Sequence, residues 1–246
     1  MTNNKPTLKL SEPFDSIRGE GIYADAPCVF LRLATCNLKC SWCDTKYTWD
    51  WENYDINAEI HEFSICEIVE KIDLSGKRHI VITGGEPLLQ QANLVSLLKL
   101  LKSKREKEND LDAYFVEIET NGTVVPIGGM LAMVDQWNVS PKTSNSQNEQ
   151  KGVHLEKLYE KSLPFYKGLQ NISFKFVIDK MEDLVEINKV IEKYDIAKEK
   201  VILMPQGTTK ESIREKSYWI DKYAKENGYV FSTRLHVLLW GNQRGI

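Results

Sequence analysis

No stretch of this chain is long and apolar enough to cross a bilayer, which takes ~20 residues. Its longest nearly unbroken apolar segment, residues 124–134, is interrupted by Pro126, Gly128 and Gly129. The opening MTNNKPTLKL also lacks the apolar core of a signal peptide. A cytoplasmic protein with no membrane partner is expected, and the Asn-x-Ser/Thr triplets at Asn121, Asn138 and Asn171 then carry no glycan. Charge of one sign is missing too. The 32 Lys+Arg and 35 Asp+Glu give a net −3, which supplies no global attraction to nucleic acid. A hydrophobic fraction of 42% over 246 residues excludes a wholly disordered chain. Walker A, H-E-x-x-H and G-x-S-x-G motifs are absent, removing the familiar parts of several nucleotide and hydrolase mechanisms. Gly19 to Ala24 fits a dinucleotide fingerprint in spelling alone, because Pro27 and a strand pattern follow where a helix is needed.

Cysteine is scarce and odd in number. Five cysteines cannot pair completely within one chain, so a disulfide framework is not expected. Three of them, Cys36, Cys40 and Cys43, crowd into eight residues. Cys28, in an apolar strand pattern, and Cys66, in a helix-like stretch, read as core residues.

Strand-length apolar runs occupy residues 28–33, 79–83, 114–119, 137–140, 172–178 and 201–204. Several are nearly continuous in Val, Ile, Phe or Leu, the pattern of parallel strands covered on both faces. Helical segments alternate with them at 63–74, 93–107, 153–161, 183–193 and 210–226. This order predicts an α/β fold with a parallel sheet, open or curved into a barrel. No repeat, low-complexity linker or Pro/Gly-rich break divides the chain, so one domain over residues 1–246 is expected. Residues 102–110 mix both charges and read as a solvated surface. The polar residues 144–150 read as an exposed loop.

The spacing Cys36-x₃-Cys40-x₂-Cys43 directly follows the first strand pattern and supplies three thiolates for one centre. Structural zinc usually takes a fourth protein ligand. The single histidines His61, His79, His154 and His236 offer no second paired motif. A [4Fe–4S] cluster also normally has four ligands, so three cysteines leave one iron open. An open iron can chelate the amino and carboxylate groups of S-adenosylmethionine. Thr83-Gly84-Gly85-Glu86-Pro87 follows the second strand pattern, its glycines allowing close backbone approach and Glu86 suited to an ammonium group. Asp44 and Thr45, just past the third cysteine, carry oxygens acceptable to Mg²⁺. Glu119 to Gly122 and Ser140-Pro141-Lys142 put further polar groups at strand ends, where such sheets place ligands.

The cysteine spacing with Trp42 beside Cys43 resembles the radical S-adenosylmethionine (SAM) enzymes. Residues 16–21 (Ser-Ile-Arg-Gly-Glu-Gly), 30–32, 44–45, 83–85, 140–142 and the ending 235–246 narrow the likeness. Over nearly the whole chain they resemble the 7-carboxy-7-deazaguanine synthase family. That resemblance implies a single-domain partial (β/α) barrel of the radical SAM type and a homodimer. It implies conversion of 6-carboxy-5,6,7,8-tetrahydropterin to 7-carboxy-7-deazaguanine with loss of ammonia, toward queuosine and related deazapurines. The implied cofactors are a [4Fe–4S] cluster, SAM and Mg²⁺, with an electron donor such as flavodoxin or ferredoxin. Carried onto this chain, Cys36, Cys40 and Cys43 would ligate iron and Thr45 would meet Mg²⁺. Gly85, Glu86, Ser140, Pro141, Lys142, Leu203, Met204, Pro205 and Gln206 would hold SAM. Ile17, Arg18, Gly19, Glu20, Arg32, Thr83 and His236 would hold the pterin. Family members often have Gln where this chain has Arg18. Two other readings use the same cluster: a glycyl-radical activase, which leaves the front and tail motifs unexplained, and a non-catalytic iron–sulfur carrier, which needs no open iron.

Overall fold

The computed structural model describes residues 6–105 and 113–246, so the end of the expected helix 93–107 and part of the charged run 102–110 lie outside the described residues. In chain order the main elements are β1 (Thr7–Ile17), β2 (Pro27–Leu33), α1 (Ile56–Glu59), β3 (His61–Ser64), α2 (Ile65–Ser75), β4 (His79–Gly84) and α3 (Gln91–Arg105). They continue as β5 (Phe115–Thr120), α4 (Gly128–Leu131), β6 (Gln136–Val139), α5 (Leu155–Lys167), β7 (Ile172–Ile178) and α6 (Asp183–Tyr194). The last are β8 (Val201–Pro205), α7 (Lys210–Asn227), β9 (Val230–Phe231) and α8 (Leu235–Trp240). The nine strands among the described residues form one sheet in the order β3-β1-β2-β4-β5-β6-β7-β8-β9. Pairing is parallel from β2 to β9, while β1 runs antiparallel to both its neighbours.

Local chemistry sets the boundaries. Ser64 and Glu67 form a reciprocal capping box, so α2 starts at Ile65 and Phe63 joins β3 instead of the expected helix. In α2 the residues Ile65, Ile68, Val69 and Ile72 face inward. Position 66 therefore falls on the opposite side, and Cys66 is exposed, contrary to its expected core role. Helix α5 runs past the expected end at 161 and through Pro164. Leu163 and Tyr166 near its end are fully buried, and burying such side chains, at ~1.5–3 kcal/mol each, offsets the ~3 kcal/mol cost of an interior proline.

The parallel strands are covered on both faces, but the two faces differ. Leu31, Ile80, Ile82, Ile118, Val139, Phe174, Phe176 and Leu203 are all at 0% exposure in the main hydrophobic core. The alternate positions Arg32, Thr83, Glu117, Glu119, Asn138 and Lys175 are polar and face the inside of the sheet. Several strands were expected to be nearly continuous in apolar residues; the pattern is alternation with a polar inner face.

The sheet is curled and open. Flat strands ~4.8 Å apart would separate β2 from β8 by about 24 Å. Arg32 of β2 and Met204 of β8 nevertheless line one cavity. Strand β3 is not paired with β9, so the architecture is a partial barrel. A bulge between Leu10 and Glu12 completes the inner wall. Before it Leu10 pairs with Leu33 and is buried in the main core; after it Glu12, Phe14 and Ser16 pair with Arg32, Phe30 and Cys28. One extra residue reverses which side chains of β1 point inward.

Candidate active site

The cysteine loop leaves β2 through Thr35, a non-glycine residue at φ 71°. Its path is fixed by the two glycines at the end of β4. A Cβ on Gly85 would lie 1.8 Å from the Thr35 carbonyl oxygen, and one on Gly84 would lie 2.1 Å from that of Leu33. The Gly85 and Glu86 amides donate to the Leu33 and Thr35 carbonyls at 2.9 and 2.7 Å. The close approach expected at these glycines is therefore made to the chain's own cysteine loop.

Residues 144–150 pack on the other side of that loop. Ser146 and Asn148 are fully buried, and the Ser41 amide donates to the Ser146 carbonyl at 3.0 Å. The Lys39 amide donates to Asn148 Oδ1 at 2.7 Å, and Trp42 Nε1 donates to the Asn145 carbonyl at 3.1 Å. An exposed loop was expected, and Ser144, Gln147, Glu149 and Gln150 are exposed, but Ser146 and Asn148 turn inward and their polar groups hold the cysteine loop.

Cys36, Cys40 and Cys43 line the same cavity. Cys36 Sγ accepts from the Leu38 amide at 3.4 Å and Asn121 Nδ2 at 3.8 Å, Cys40 Sγ from Asn148 Nδ2 at 3.2 Å, and Cys43 Sγ from Trp49 Nε1 at 3.4 Å. Burial pushes the Cys36 thiol up to about 12 and the Cys40 thiol up as well. Metal coordination deprotonates such thiols outright. Among the described residues no three His, Cys, Asp or Glu side chains close around a single ion. A cluster asks for something different, because each thiolate binds its own iron. Three thiols in one cavity, each sulfur facing N–H donors, fit a cluster and do not fit a structural zinc.

Below the cysteines a chain of buried ions crosses the barrel. Arg18, 2% exposed, donates through Nε to Glu117 at 3.0 Å and through Nη2 to Glu119 at 2.6 Å. Lys175 pairs with Glu20 and, at 3.1 Å, with Glu119. Arg234 pairs with Glu20 at 3.0 Å and with Asp44. His79 meets Glu117 at 2.8 Å, and Thr83 donates to Glu119 at 2.8 Å. Burial opposes ionisation of Glu119, but Arg18 and Lys175 hold its carboxyl down to about 2. Against the same penalty Lys175 and Arg234 hold Glu20 well below the usual carboxylate range. Burial also disfavours charge on Asp44, and Arg234 outweighs it, so this carboxyl too is lowered.

The front and tail motifs meet here. The Gly21 amide donates to Ser232 Oγ at 2.8 Å and the Leu235 amide to the Gly19 carbonyl at 2.8 Å. His236 lies against Gly19 so closely that a Cβ there would be 2.1 Å from Nδ1. Burial lowers the His236 pKa and keeps the ring neutral; Nε2 accepts from Arg234 at 3.4 Å, leaving the proton on Nδ1.

Most residues singled out by sequence converge on this cavity: Ile17, Arg18, Gly19, Glu20, Arg32, the three cysteines, Thr45, Thr83, Gly85, Ser140, Lys142, Met204, Gln206 and His236. Arg32 donates through Nε to Glu12 at 3.0 Å, and its terminal nitrogens have no hydrogen-bond partner among the described residues. Lys142 reaches Ser140 Oγ at 2.7 Å and sits 5.4 Å from the centre of the Trp42 ring. Thr45 Oγ1 is 3.5 Å from Cys43 Sγ. Glu86, Pro141, Leu203 and Pro205 are not brought to the cavity wall. Leu203 packs in the main core on the outer face. Glu86 is fully buried and accepts from the Leu88 and Asn121 amides and the Thr120 hydroxyl at 3.0, 2.7 and 2.8 Å. Its carboxylate thus anchors the end of β5 and aims Asn121 at Cys36; it has no oxygen turned to a ligand. Lys175 and Arg234 were not anticipated, although a lysine alternating with Phe174 and Phe176, on the same face as Ser173 and Val177, signals an inner polar face.

Comparison with known proteins places these features. The model of the radical SAM superfamily matches residues 32–191. The 7-carboxy-7-deazaguanine synthase of Pyrobaculum aerophilum is 36% identical over 242 residues, covering 98% of each chain. That of Rhodopirellula baltica is 34% identical over 250 residues, covering 98% of this chain and 90% of its own. Among solved structures, QueE from Escherichia coli superposes with a TM-score of 0.66 at 22% identity, over 94% of this chain and 95% of that one. The structure of anSMEcpe with bound AdoMet gives 0.56 at 13% identity, over 84% of this chain and 62% of that one. At these identities the two structures speak to the fold.

Proposed function

Because the chain belongs to the radical SAM superfamily and, within it, to the 7-carboxy-7-deazaguanine synthase family, we propose that it converts 6-carboxy-5,6,7,8-tetrahydropterin to 7-carboxy-7-deazaguanine with loss of ammonia. The observation that carries this reading is the joining of three loop cysteines to a charged barrel floor in one cavity. When bound, the cluster and SAM supply a carbon-centred radical able to take a hydrogen atom from a C–H bond.

The chain's own residues bind, orient and exclude water. Cys36, Cys40 and Cys43 hold the cluster; Gly85, Ser140, Lys142, Met204 and Gln206 line the SAM side. The terminal nitrogens of Arg32 suit a bidentate pair with the substrate carboxylate. Ionised Glu20 and Glu119 accept hydrogen bonds from ring N–H groups, and Lys175 between them fixes their orientation. Neutral His236 offers a hydrogen-bond donor at Nδ1. Thr45 would contribute an oxygen to Mg²⁺, which would neutralise charge on substrate oxygens. The same reading includes a homodimer, a cytoplasmic setting and a small electron donor such as flavodoxin or ferredoxin.

Two substitutions probe this assignment. Thr45→Ala is expected to raise the Mg²⁺ requirement for turnover about 10–100-fold, the scale of losing a partner in a metal site, at unchanged iron content. Loss of iron from that variant would remove Thr45 from the magnesium site. Gly19→Ala forces the His236 ring away, since a Cβ cannot sit 2.1 Å from Nδ1. Turnover should fall about 10²-fold, the scale of a 1 Å misplacement, with the circular dichroism spectrum retained. Wild-type turnover in Gly19→Ala would show that the ring does not orient substrate. The function itself is tested by anaerobic incubation of the reduced protein with carboxytetrahydropterin and SAM, followed by mass spectrometry. A deazapurine product is expected; uncoupled 5′-deoxyadenosine alone would favour a different radical substrate.

A further inference from the structure

We infer that Asn148 and Trp49 set the reduction potential of the cluster by donating hydrogen bonds to its cysteine sulfurs, an inference that rests on the cluster being held by Cys36, Cys40 and Cys43. Asn148 Nδ2 donates to Cys40 Sγ at 3.2 Å and Trp49 Nε1 to Cys43 Sγ at 3.4 Å. The two donors reach the loop from different directions. Asn148, fully buried, lies in the segment after β6, and Trp49 follows the cysteine loop itself.

Three observations separate this arrangement from ordinary packing. Cys28 and Cys66, the cysteines outside the loop, accept no hydrogen bond among the described residues, whereas each loop sulfur accepts at least one. Asn148 is oriented by its own contacts: Oδ1 accepts from the Lys39 amide at 2.7 Å and Nδ2 also reaches Ser146 Oγ at 2.9 Å. The amide is thereby fixed with its N–H side toward sulfur. Trp49 Nε1, a donor only, has Cys43 Sγ as its partner. Reduction adds one negative charge to the cluster and its thiolates, so an N–H dipole aimed at a ligand sulfur stabilises the reduced state more than the oxidised one. Hydrogen bonds to the sulfurs are among the features that set the potential of such clusters. Removing either donor should make reduction harder.

The test is an EPR-monitored redox titration of anaerobically reconstituted wild type, Trp49→Phe and Asn148→Ala, each with its iron and sulfide content measured. Trp49→Phe deletes the N–H and keeps most of the ring. It is expected to retain full iron content with a midpoint potential shifted to a more negative value. Asn148→Ala is expected to shift in the same direction; because Asn148 also holds the loop, its failure to load would leave Trp49→Phe to decide. A fully loaded Trp49→Phe protein with the wild-type potential would overturn the inference. A wild-type protein that assembles no cluster would overturn the cysteine assignment and this inference with it.

Discussion

Replacing Arg18 by glutamine is expected to lower the free energy of unfolding by about 3–5 kcal/mol, the cost of removing one partner from a buried ion pair. Arg18 and Glu117 are 2% and 1% exposed, and Arg18 also holds Glu119. Without the guanidinium, Glu117 keeps His79 and Asn138 as its partners among the described residues. Glu117, left in place, is what makes the exchange costly. The double variant Arg18→Gln/Glu117→Gln should recover most of the loss, because the isolated charge goes with its partner. Urea unfolding midpoints at constant m-value measure both. A single variant within ~0.5 kcal/mol of wild type would mean that water or another cation compensates. The sign with pH is fixed. The folded Glu119 carboxyl, at about 2, lies below its ordinary 4.5. Its contribution is complete above the ordinary value and is lost as pH falls through the folded one. In Arg18→Gln the folded value moves back toward the ordinary one, so this acid-dependent loss should be smaller and complete at a higher pH.

Cys40→Ala is expected to abolish turnover and SAM-responsive cluster assembly, while Cys66→Ala leaves both intact. Cys40 lies in the shared cavity with its sulfur bound by Asn148, and Cys66 is exposed on the outer side of α2. Iron and sulfide analysis, with product detection, reads the contrast. Full loading and activity in Cys40→Ala would remove this residue from the ligand set.

Much of this site could be read before any coordinates. The three cysteines, the Gly-Gly turn and the front and tail segments carry their spacing in the sequence. What motif reading misplaced were the partners of these groups. Glu86 looked available to an ammonium group but spends its oxygens on Leu88, Thr120 and Asn121. Lys175 and Arg234 find their acidic partners 155 and 190 residues away, a pairing that no local pattern announces. Polarity at 144–150 suggested exposure, whereas Ser146 and Asn148 are buried with their polar groups bonded. Other differences were legible in hindsight. Glu117 and Glu119 alternate with Val116 and Ile118, which is the signature of an inner polar face, and the inward spacing of α2 places Cys66 outside. The bulge in β1 had no such signal, because a single extra residue at Ser11 reverses the facing of a strand that also contains Pro13.

If Cys36, Cys40 and Cys43 hold the cluster, one iron is left free for SAM. EPR spectra of the anaerobically reduced protein before and after SAM addition test it most directly. A changed cluster signal is expected in wild type. An unchanged signal from a fully loaded cluster, with no binding of SAM, would contradict it.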